Sequence, residues 1–364
     1  MKPTPRSCFV PDEPWHDDLG DLINAHGGGI LVHEGIFYWF GEHKEDGDTT
    51  EVGVHVYSSN NLYNWTDRGI ALAVVGEPGH EIERGCIIER PKVIFNPRTG
   101  KFVMWFHLEH KGHGRKAARS GVAVADTPSG PYRFQHSLRP NPGVWPADVT
   151  PAQVAALPEG QRVLGTTFWG SPHPDRAKMN FLGRDFHGGQ MAKDMTLFVD
   201  DDGSAYHIYS SEENATLHIA RLHGDFTTHD GLWVRAFPYL WHEAPALFKH
   251  AGRYWMLSSH CTGWNPNTAR ASVAESIWGP WRELGNPCAG PTPANRLGPE
   301  LSFGGQSTHV LPVPGIPGAF IAMFDTWRPE AHRTSGYTWL PIRFENNRPV
   351  IEWRDRWDLS VFTA

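Results

Sequence analysis

Five copies of one short pattern recur along this chain, and no other feature constrains its fold as strongly. Each copy has an apolar segment, a turn that usually closes on glycine, an aromatic-rich segment and a third β-prone segment. The interval from the opening polar residue to the glycine of the turn is nine residues in the copies that open at His26, Asp194 and Glu243. It is eleven residues from Glu89 and twelve from Gln306. Repeats of short strands separated by turn residues indicate a set of similar β modules.

The repeats predict an all-β fold, a five-bladed β-propeller that forms a single domain over residues 1–364. We expect its blades at about 21–75, 86–137, 191–235, 240–285 and 303–360. A long insertion at 138–190, rich in Pro, Gly and Trp, separates the second blade from the third. Thr150 and Pro151 predict the start of a helix within it, and we expect the insertion to form a loop over one face of the propeller.

The polar residues that open the repeats predict a shared site. The first strand of every propeller blade lines the central axis, so residues in equivalent positions converge at one end of the channel. The set is Asn24 or His26, Glu89, Asp194, Glu243 and Gln306. A single residue of this kind is ordinarily a buried polar group at a strand end. Three carboxylates and an amide in one register indicate a functional cavity instead, because gathered carboxylates cost free energy unless they serve chemistry.

Composition excludes several classes of function. The chain has 33 Lys and Arg against 40 Asp and Glu, a net charge of -7, and therefore no basic surface for nucleic acid. It has no run of eighteen apolar residues, so we expect no membrane-spanning helix. The N-terminus lacks the apolar region of a secretion signal, which predicts a cytoplasmic location, or secretion if a leader has been removed. Four cysteines without CxxC spacing fit a reducing compartment. The sequence does not indicate an oligomeric state.

The remaining composition points to a carbohydrate partner. The chain contains 16 Trp and 21 His. Aromatic faces stack on the apolar faces of sugar rings, and polar side chains hold the hydroxyls.

The carboxylates suit glycoside hydrolysis, which needs a protonated carboxyl for the leaving oxygen and a second group for the attack at carbon. Glu243 suits the acid, because its apolar sequence neighbours would raise its pKa. Asp194, one blade away, suits a carboxylate that stays ionised, orients the acid and shifts its pKa. Glu89 can hold sugar hydroxyls, with Arg90 as the countercharge that keeps Glu89 ionised.

Several motifs resemble a known family. Glu243-Ala-Pro, Asp194 ahead of Leu-Phe-Val-Asp-Asp-Asp-Gly, and the blade endings at 125–132 and 274–281 resemble glycoside hydrolase family 43. The resemblance implies a five-bladed propeller that inverts anomeric configuration. Seven motifs in order resemble more narrowly the exo-β-1,3-galactanase group, subfamily 24 and its close relatives; they begin at Ile23, Trp39, Glu89, Asp194, Tyr209, Thr262 and Gly305.

The first blade departs from the pattern of most of that family. Most members carry an Asp there as general base, whereas this chain has Asn-Ala-His, and His26 occupies the slot. The galactanase group also lacks this Asp, and a Gln or Glu of the fifth blade is assigned to the water. Carried over, that residue is Gln306. A neutral amide is a poor base, so Gln306 would position the water or act as its imidic tautomer, with proton loss relayed onward.

The resemblance also implies a set of residues around the terminal sugar: Glu42, Glu89, Asn214, Thr262 and Gly263. Our candidate substrate-binding residues further include Arg90, His26 and Trp264.

We therefore expect an inverting, exo-acting hydrolase of β-1,3-linked galactose, in galactan or in oligosaccharides derived from arabinogalactan. Two alternatives stay open on the sequence. One is an α-L-arabinofuranosidase or β-xylosidase of the same family. The other is an inactive sugar-binding propeller, since no carboxylate base is evident. We expect no required cofactor; a structural Ca²⁺ is neither required nor excluded.

Overall fold

The computed structural model describes residues 4–150 and 181–363. Its strands form five sheets, and within each sheet every strand except one short edge strand pairs antiparallel with its neighbours in chain order. The five sheets are the blades of a five-bladed β-propeller, which confirms the fold that the repeats predict.

The blades follow one another in chain order. Blade I contains β1 (His26–His33), β2 (Ile36–Glu42), β3 (Gly53–Ser59) and β4 (Thr66–Ala73). Blade II contains β5 (Ile87–Asn96), β6 (Lys101–Glu109), β7 (Arg119–Ala125) and β8 (Arg133–Leu138). Blade III contains β9 (Met195–Val199), β10 (Ala205–Ser211), β11 (Thr216–Leu222) and β12 (His229–Ala236). Blade IV contains β13 (Glu243–His250), β14 (Arg253–Ser259), β15 (Arg270–Ala274) and β16 (Arg282–Gly285).

Blade V has one strand more than the other four. It contains β18 (Gln306–Pro312), β19 (Phe320–Thr326), β20 (Gly336–Glu345) and β21 (Arg348–Glu352). The short strand β17 (Cys288–Ala289), which precedes them in the chain, pairs in parallel with β21 at the outer edge. The described helices are short: α1 (Phe181–Asp185) and three turns of 3-10 helix at Pro299–Gly304, His332–Thr334 and Leu359–Phe362. None of the helices in the described ranges has the length and apolar character needed to span a membrane.

The first strands of the five blades surround the axis. β1 contacts β5, β5 contacts β9, β9 contacts β13, β13 contacts β18, and β18 contacts β1 again. Residues at the start of each first strand therefore meet at one end of the channel, as the repeat register predicts.

The core lies between the blades, because each blade packs against a neighbouring blade on both of its faces. One hydrophobic cluster fills each of the five interfaces between neighbouring blades. The cluster between blades V and I contains Trp39, Trp65 and Trp339, each at most 1% exposed. Truncating one such side chain to Ala typically costs about 3–5 kcal/mol. The aromatic-rich second strands thus fold into blades because both of their faces find apolar partners.

The described ends of the long insertion pack beside the blades that it connects. Val144, Trp145 and Leu182 contact the cluster between blades II and III. The predicted helix that would start at Thr150 and Pro151 falls on residues 151–180, which lie outside the described residues.

Candidate active site

A cavity of about 350 Å³ opens at the end of the ring where the first strands begin. That size lies near the lower end of the range for small-ligand sites. Eight of the residues proposed from the sequence line it: Glu42, Glu89, Arg90, Asp194, Glu243, Gly263, Trp264 and Gln306. Three further residues, which the sequence analysis missed, complete the lining: Asp48, Arg115 and Trp327.

Local breaks in the strand ladder turn the opening side chains into this cavity. The pairing register shifts directly after the opening residue in β1, β5 and β13, and one residue later, after Ser307, in β18. In three of these strands the next residue has a left-handed backbone: Gly27 (φ 61°), Arg90 (φ 54°) and Ala244 (φ 51°). Such bulges re-aim a side chain and are common beside active sites. A Cβ at Gly27 would lie 2.1 Å from Glu42 Oε1, so this position also needs glycine for space.

Glu243 has the environment of a proton donor. Its side chain is 7% exposed, and its Oε1 accepts a hydrogen bond from Asn214 Nδ2 at 3.0 Å. Burial, together with the negative charge of Asp194, raises the pKa of Glu243 to about 8. The carboxyl is therefore mostly protonated at neutral pH, as a general acid for a neutral leaving group must be.

Arg90 links Asp194 to Gln306. Its Nη2 lies 3.0 Å from Asp194 Oδ2 and donates to Gln306 Oε1 at 2.6 Å. Its Nη1 donates to the Ser307 carbonyl at 3.1 Å, and its backbone N–H donates to Glu42 Oε1 at 2.9 Å. One guanidinium from blade II thus contacts blades III and V, while its main chain contacts blade I.

Arg90 is not the main countercharge of Glu89, so the pairing expected from the sequence is wrong. Glu89 is paired with Arg115, whose Nη1 donates to Glu89 Oε2, and with His107 Nδ1 at 3.0 Å. The left-handed backbone of Arg90 directs its side chain away from Glu89 and toward Asp194. Glu89 therefore receives its main countercharge from the loop after β6, and the repeat pattern does not include this loop.

His107 is a cation between two carboxylates. Its Nδ1 faces Glu89 Oε2, and its Nε2 faces Glu109 Oε1 at 2.9 Å, so both ring nitrogens must carry hydrogen to make both bonds. Burial alone would lower the pKa of His107, but the bonds to Glu109 and Glu89 raise it to about 9. Burial alone would raise the pKa of Glu89, but Arg115 and His107 hold it well below its usual value. Glu89 is thus ionised throughout the neutral range.

Two tryptophans form an aromatic wall. The ring centroids of Trp264 and Trp327 lie 5.0 Å apart at an interplanar angle of 63°. Lys44 Nζ lies 5.7 Å and 5.9 Å from these two centroids and 2.7 Å from Glu42 Oε2. An apolar wall beside ion-paired carboxylates offers both kinds of contact that a sugar ring uses.

Three proposed residues lie outside the cavity lining. Asn214 reaches the site through Glu243. Thr262 Oγ1 donates to the Asn265 carbonyl at 2.6 Å and so shapes the loop that carries Gly263 and Trp264. His26 is 0% exposed and stacks on Tyr337, with centroids 5.2 Å apart. The expectation that His26 binds substrate is wrong for this geometry, because the bulge at Gly27 leaves its ring in the core.

The missed residues share a place in the fold. Asp48, Arg115 and Trp327 lie in the loops from second to third strand in blades I, II and V, as Trp264 does in blade IV. In an antiparallel blade the end of the second strand lies beside the start of the first, so these loops surround the same cavity. Charged and aromatic residues in the segments between the second and third strands were the available signal.

The site does not suit a calcium ion. Within the described ranges, one trio of potential ligands has donor atoms within 4.8 Å of one another, Glu89, His107 and Asp194. Calcium prefers six to eight oxygen ligands, whereas this trio includes a ring nitrogen and its carboxylates are already paired with Arg115 and Arg90. Deeper in the channel, Lys92 Nζ donates to the Gly27 carbonyl at 2.9 Å and so occupies an oxygen that a cation would need.

Comparisons with known proteins agree with this architecture. A family model described as Glycosyl hydrolases family 43 matches residues 175–295. The chain is 50% identical to a GH43 β-1,3-galactosidase, BT3683, solved with galactodeoxynojirimycin; the match covers 96% of this chain and 100% of that one, with a TM-score of 0.88. No curated protein matches the chain.

Two exo-β-1,3-galactanase structures are also similar. The enzyme from Phanerochaete chrysosporium, solved with β-1,3-galactotriose, is 30% identical; the match covers 97% of this chain and 68% of that one, with a TM-score of 0.76. The enzyme from Clostridium thermocellum is 30% identical, with coverage of 96% and 66% and a TM-score of 0.77.

Proposed function

Because this chain belongs to glycoside hydrolase family 43, we propose that it is an inverting, exo-acting hydrolase of β-1,3-linked galactose. Glu243 is the general acid, Asp194 tunes it, and Gln306 holds the attacking water. The observation that carries this proposal is a buried carboxyl, with a pKa of about 8, in a cavity shared with Asp194 and Gln306.

The substrate part of the proposal draws on the similar proteins. One is a β-1,3-galactosidase solved with a galactose-like iminosugar, and another is an exo-β-1,3-galactanase solved with a β-1,3-linked trisaccharide. A cavity of about 350 Å³ suits recognition of a terminal sugar rather than the middle of a chain. Exo action on a galactose end is the simplest activity that joins these observations.

The proposed reaction uses the residues in one step. Glu243 gives its proton to the glycosidic oxygen as the bond from that oxygen to C1 breaks. A water bonds to C1 from the opposite face and loses one proton to solvent, and Glu243 regains its proton from solvent. Asp194, ion-paired with Arg90, keeps a negative charge beside Glu243 and so favours the protonated form before the reaction.

The first test is the configuration of the product. Proton NMR during hydrolysis of β-1,3-galactobiose should show α-galactose before mutarotation, because a single displacement inverts C1. Initial β-galactose would refute the mechanism. Faster turnover of aryl arabinofuranosides or xylosides than of aryl galactosides would refute the substrate, and galactose binding without turnover of any glycoside would indicate a binding protein.

The second test isolates the acid. Glu243→Gln should lower kcat on β-1,3-galactobiose by about 10²–10⁴-fold. The loss should be much smaller on a dinitrophenyl galactoside, whose leaving group needs no proton. Glu275→Gln, an exposed carboxyl of the same blade, is the matched control and should leave both rates unchanged. Equal losses on the two substrates would remove Glu243 from the role of acid.

A further inference from the structure

The amide of Gln306 is held in one orientation. Its Oε1 accepts two hydrogen bonds, from Arg90 Nη2 at 2.6 Å and from Trp327 Nε1 at 2.9 Å. Its Nε2 donates to Ser259 Oγ at 3.1 Å. In the flipped orientation the NH₂ group would face two donors at those short distances, so the network itself excludes the flip.

This orientation determines what Gln306 offers to a water. Both lone pairs of Oε1 are engaged, and one hydrogen of Nε2 is directed to Ser259. The second N–H of Nε2 is the polar group of this amide that is left to face the cavity that Gln306 lines. An imidic tautomer would carry hydrogen on Oε1, where Arg90 and Trp327 already point their own hydrogens. The amide as held is therefore a donor toward the cavity and not a proton acceptor.

The contacts of Arg90 maintain this orientation of the Gln306 amide. Arg90 is 5% exposed, and its guanidinium also binds Asp194 and the Ser307 carbonyl, which fixes the plane of the guanidinium. Its backbone is left-handed and is held by the bond from its N–H to Glu42. A non-glycine residue in this conformation is costly and persists where surrounding contacts determine it. A lysine at position 90 would keep the positive charge but could not make the two-point contact that the planar guanidinium makes.

We propose that Arg90, assisted by the Trp327 indole, is a positioning residue that locks Gln306 as a hydrogen-bond donor to the attacking water. The inference rests on the proposed hydrolytic function and narrows it, because Gln306 then orients a lone pair of the water toward C1 and leaves its proton to solvent. Arg90 couples this water-holding residue to Asp194 on the acid side through a single rigid group.

A double-mutant cycle tests the proposal. Arg90→Lys keeps a cation beside Asp194 but loses the fork, and should lower kcat about 100-fold, as small misplacements in active sites do. Gln306→Ala removes the group on which Arg90 acts. If the proposal holds, adding Arg90→Lys to Gln306→Ala lowers kcat by less than about threefold. Losses that multiply in the double variant would overturn it.

Trp327→Phe supplies an independent arm, because it removes one donor to Oε1 and keeps an aromatic ring in the wall. It should lower kcat about tenfold in the wild-type background and not in the Gln306→Ala background, and it keeps the test decisive if Arg90→Lys does not fold. Melting temperature and galactose affinity by calorimetry are measured for every variant. A merely structural role predicts lower melting temperatures with unchanged kcat of the folded enzyme, which would also overturn the proposal.

The cycle uses whichever aryl glycoside the wild-type enzyme hydrolyses fastest. A preference for a sugar other than galactose would then refute the proposed substrate without affecting the result for Arg90, and complete absence of hydrolysis would refute both.

Discussion

Removal of the Asp194 charge should shift the pH dependence of the enzyme toward acid. Glu243 has a pKa of about 8, so at pH 7 about nine-tenths of it is protonated; an ordinary Glu would be protonated to well under 1%. Burial is the larger cause of this shift and the Asp194 carboxylate is the next. Asp194→Asn keeps the burial and removes the charge.

The size of the effect follows from the charge that is removed. A neighbouring charge typically moves a carboxyl pKa by about 1–3 units, so the protonated fraction of Glu243 at pH 7 would fall to between ~50% and ~1%. The alkaline limb of kcat/KM for β-1,3-galactobiose should therefore begin near pH 8 in the wild type and about 1–3 pH units lower in Asp194→Asn. The measurement is kcat/KM from pH 4 to pH 10, which reports the free enzyme.

Two further variants test the direction of this shift in the alkaline limb. The Arg90 cation lowers the pKa of Glu243, so Arg90→Gln should move the same limb upward, opposite to Asp194→Asn, although its maximum rate falls. Asp202→Asn, in an exposed turn of blade III, should leave the limb unmoved. Limbs that stay near pH 8 in both site variants, or that move in the same direction, would refute this account of the acid.

Three other predictions concern stability and binding. The folded-state pKa of Glu243 is raised above its ordinary 4.5, so the wild type loses stability as pH rises from 4.5 through 8; Glu243→Gln should gain roughly 3–5 kcal/mol of unfolding free energy relative to wild type between pH 4 and pH 9, measured by urea denaturation. His107→Gln should weaken galactose binding about tenfold in calorimetry, because a neutral amide cannot replace the cation that donates to both the Glu89 and the Glu109 carboxylates. Unchanged affinity would show that Glu89 needs no cation at this position. Gly27→Ala should lower both the melting temperature and kcat by displacing Glu42, whereas Gly252→Ala, with a similar φ of 74° and nothing near its Cβ, should lower only the melting temperature.

The fold was predictable because its determinants are local and repeated. Short apolar and aromatic segments make strands, and glycine-closed turns such as the one at Gly252 join them into hairpins. A module of this kind cannot cover its own faces, so several copies must pack around an axis. The short strand β17 was not predicted, because Cys288–Ala289 has no period of its own and pairs only where β21 offers a free edge.

The site was predictable in part for the same reason. Repeat register alone brings Glu89, Asp194, Glu243 and Gln306 to one cavity. It says nothing about Arg115, which enters from a loop of irregular sequence, and it misplaces His26, whose ring turns into the core beside Tyr337.

The amino-acid order of this chain specifies the blades and the end of the ring at which polar groups collect, because both follow from spacing along the backbone. Which acidic side chain pairs with which basic side chain is decided only by the tertiary structure. A bulge and a left-handed backbone at Arg90 aim its guanidinium at Asp194 and Gln306, and Arg115 reaches Glu89 from the loop between β6 and β7. Side-chain direction at a bulge depends on contacts with other blades, and those contacts exist only once the ring has closed.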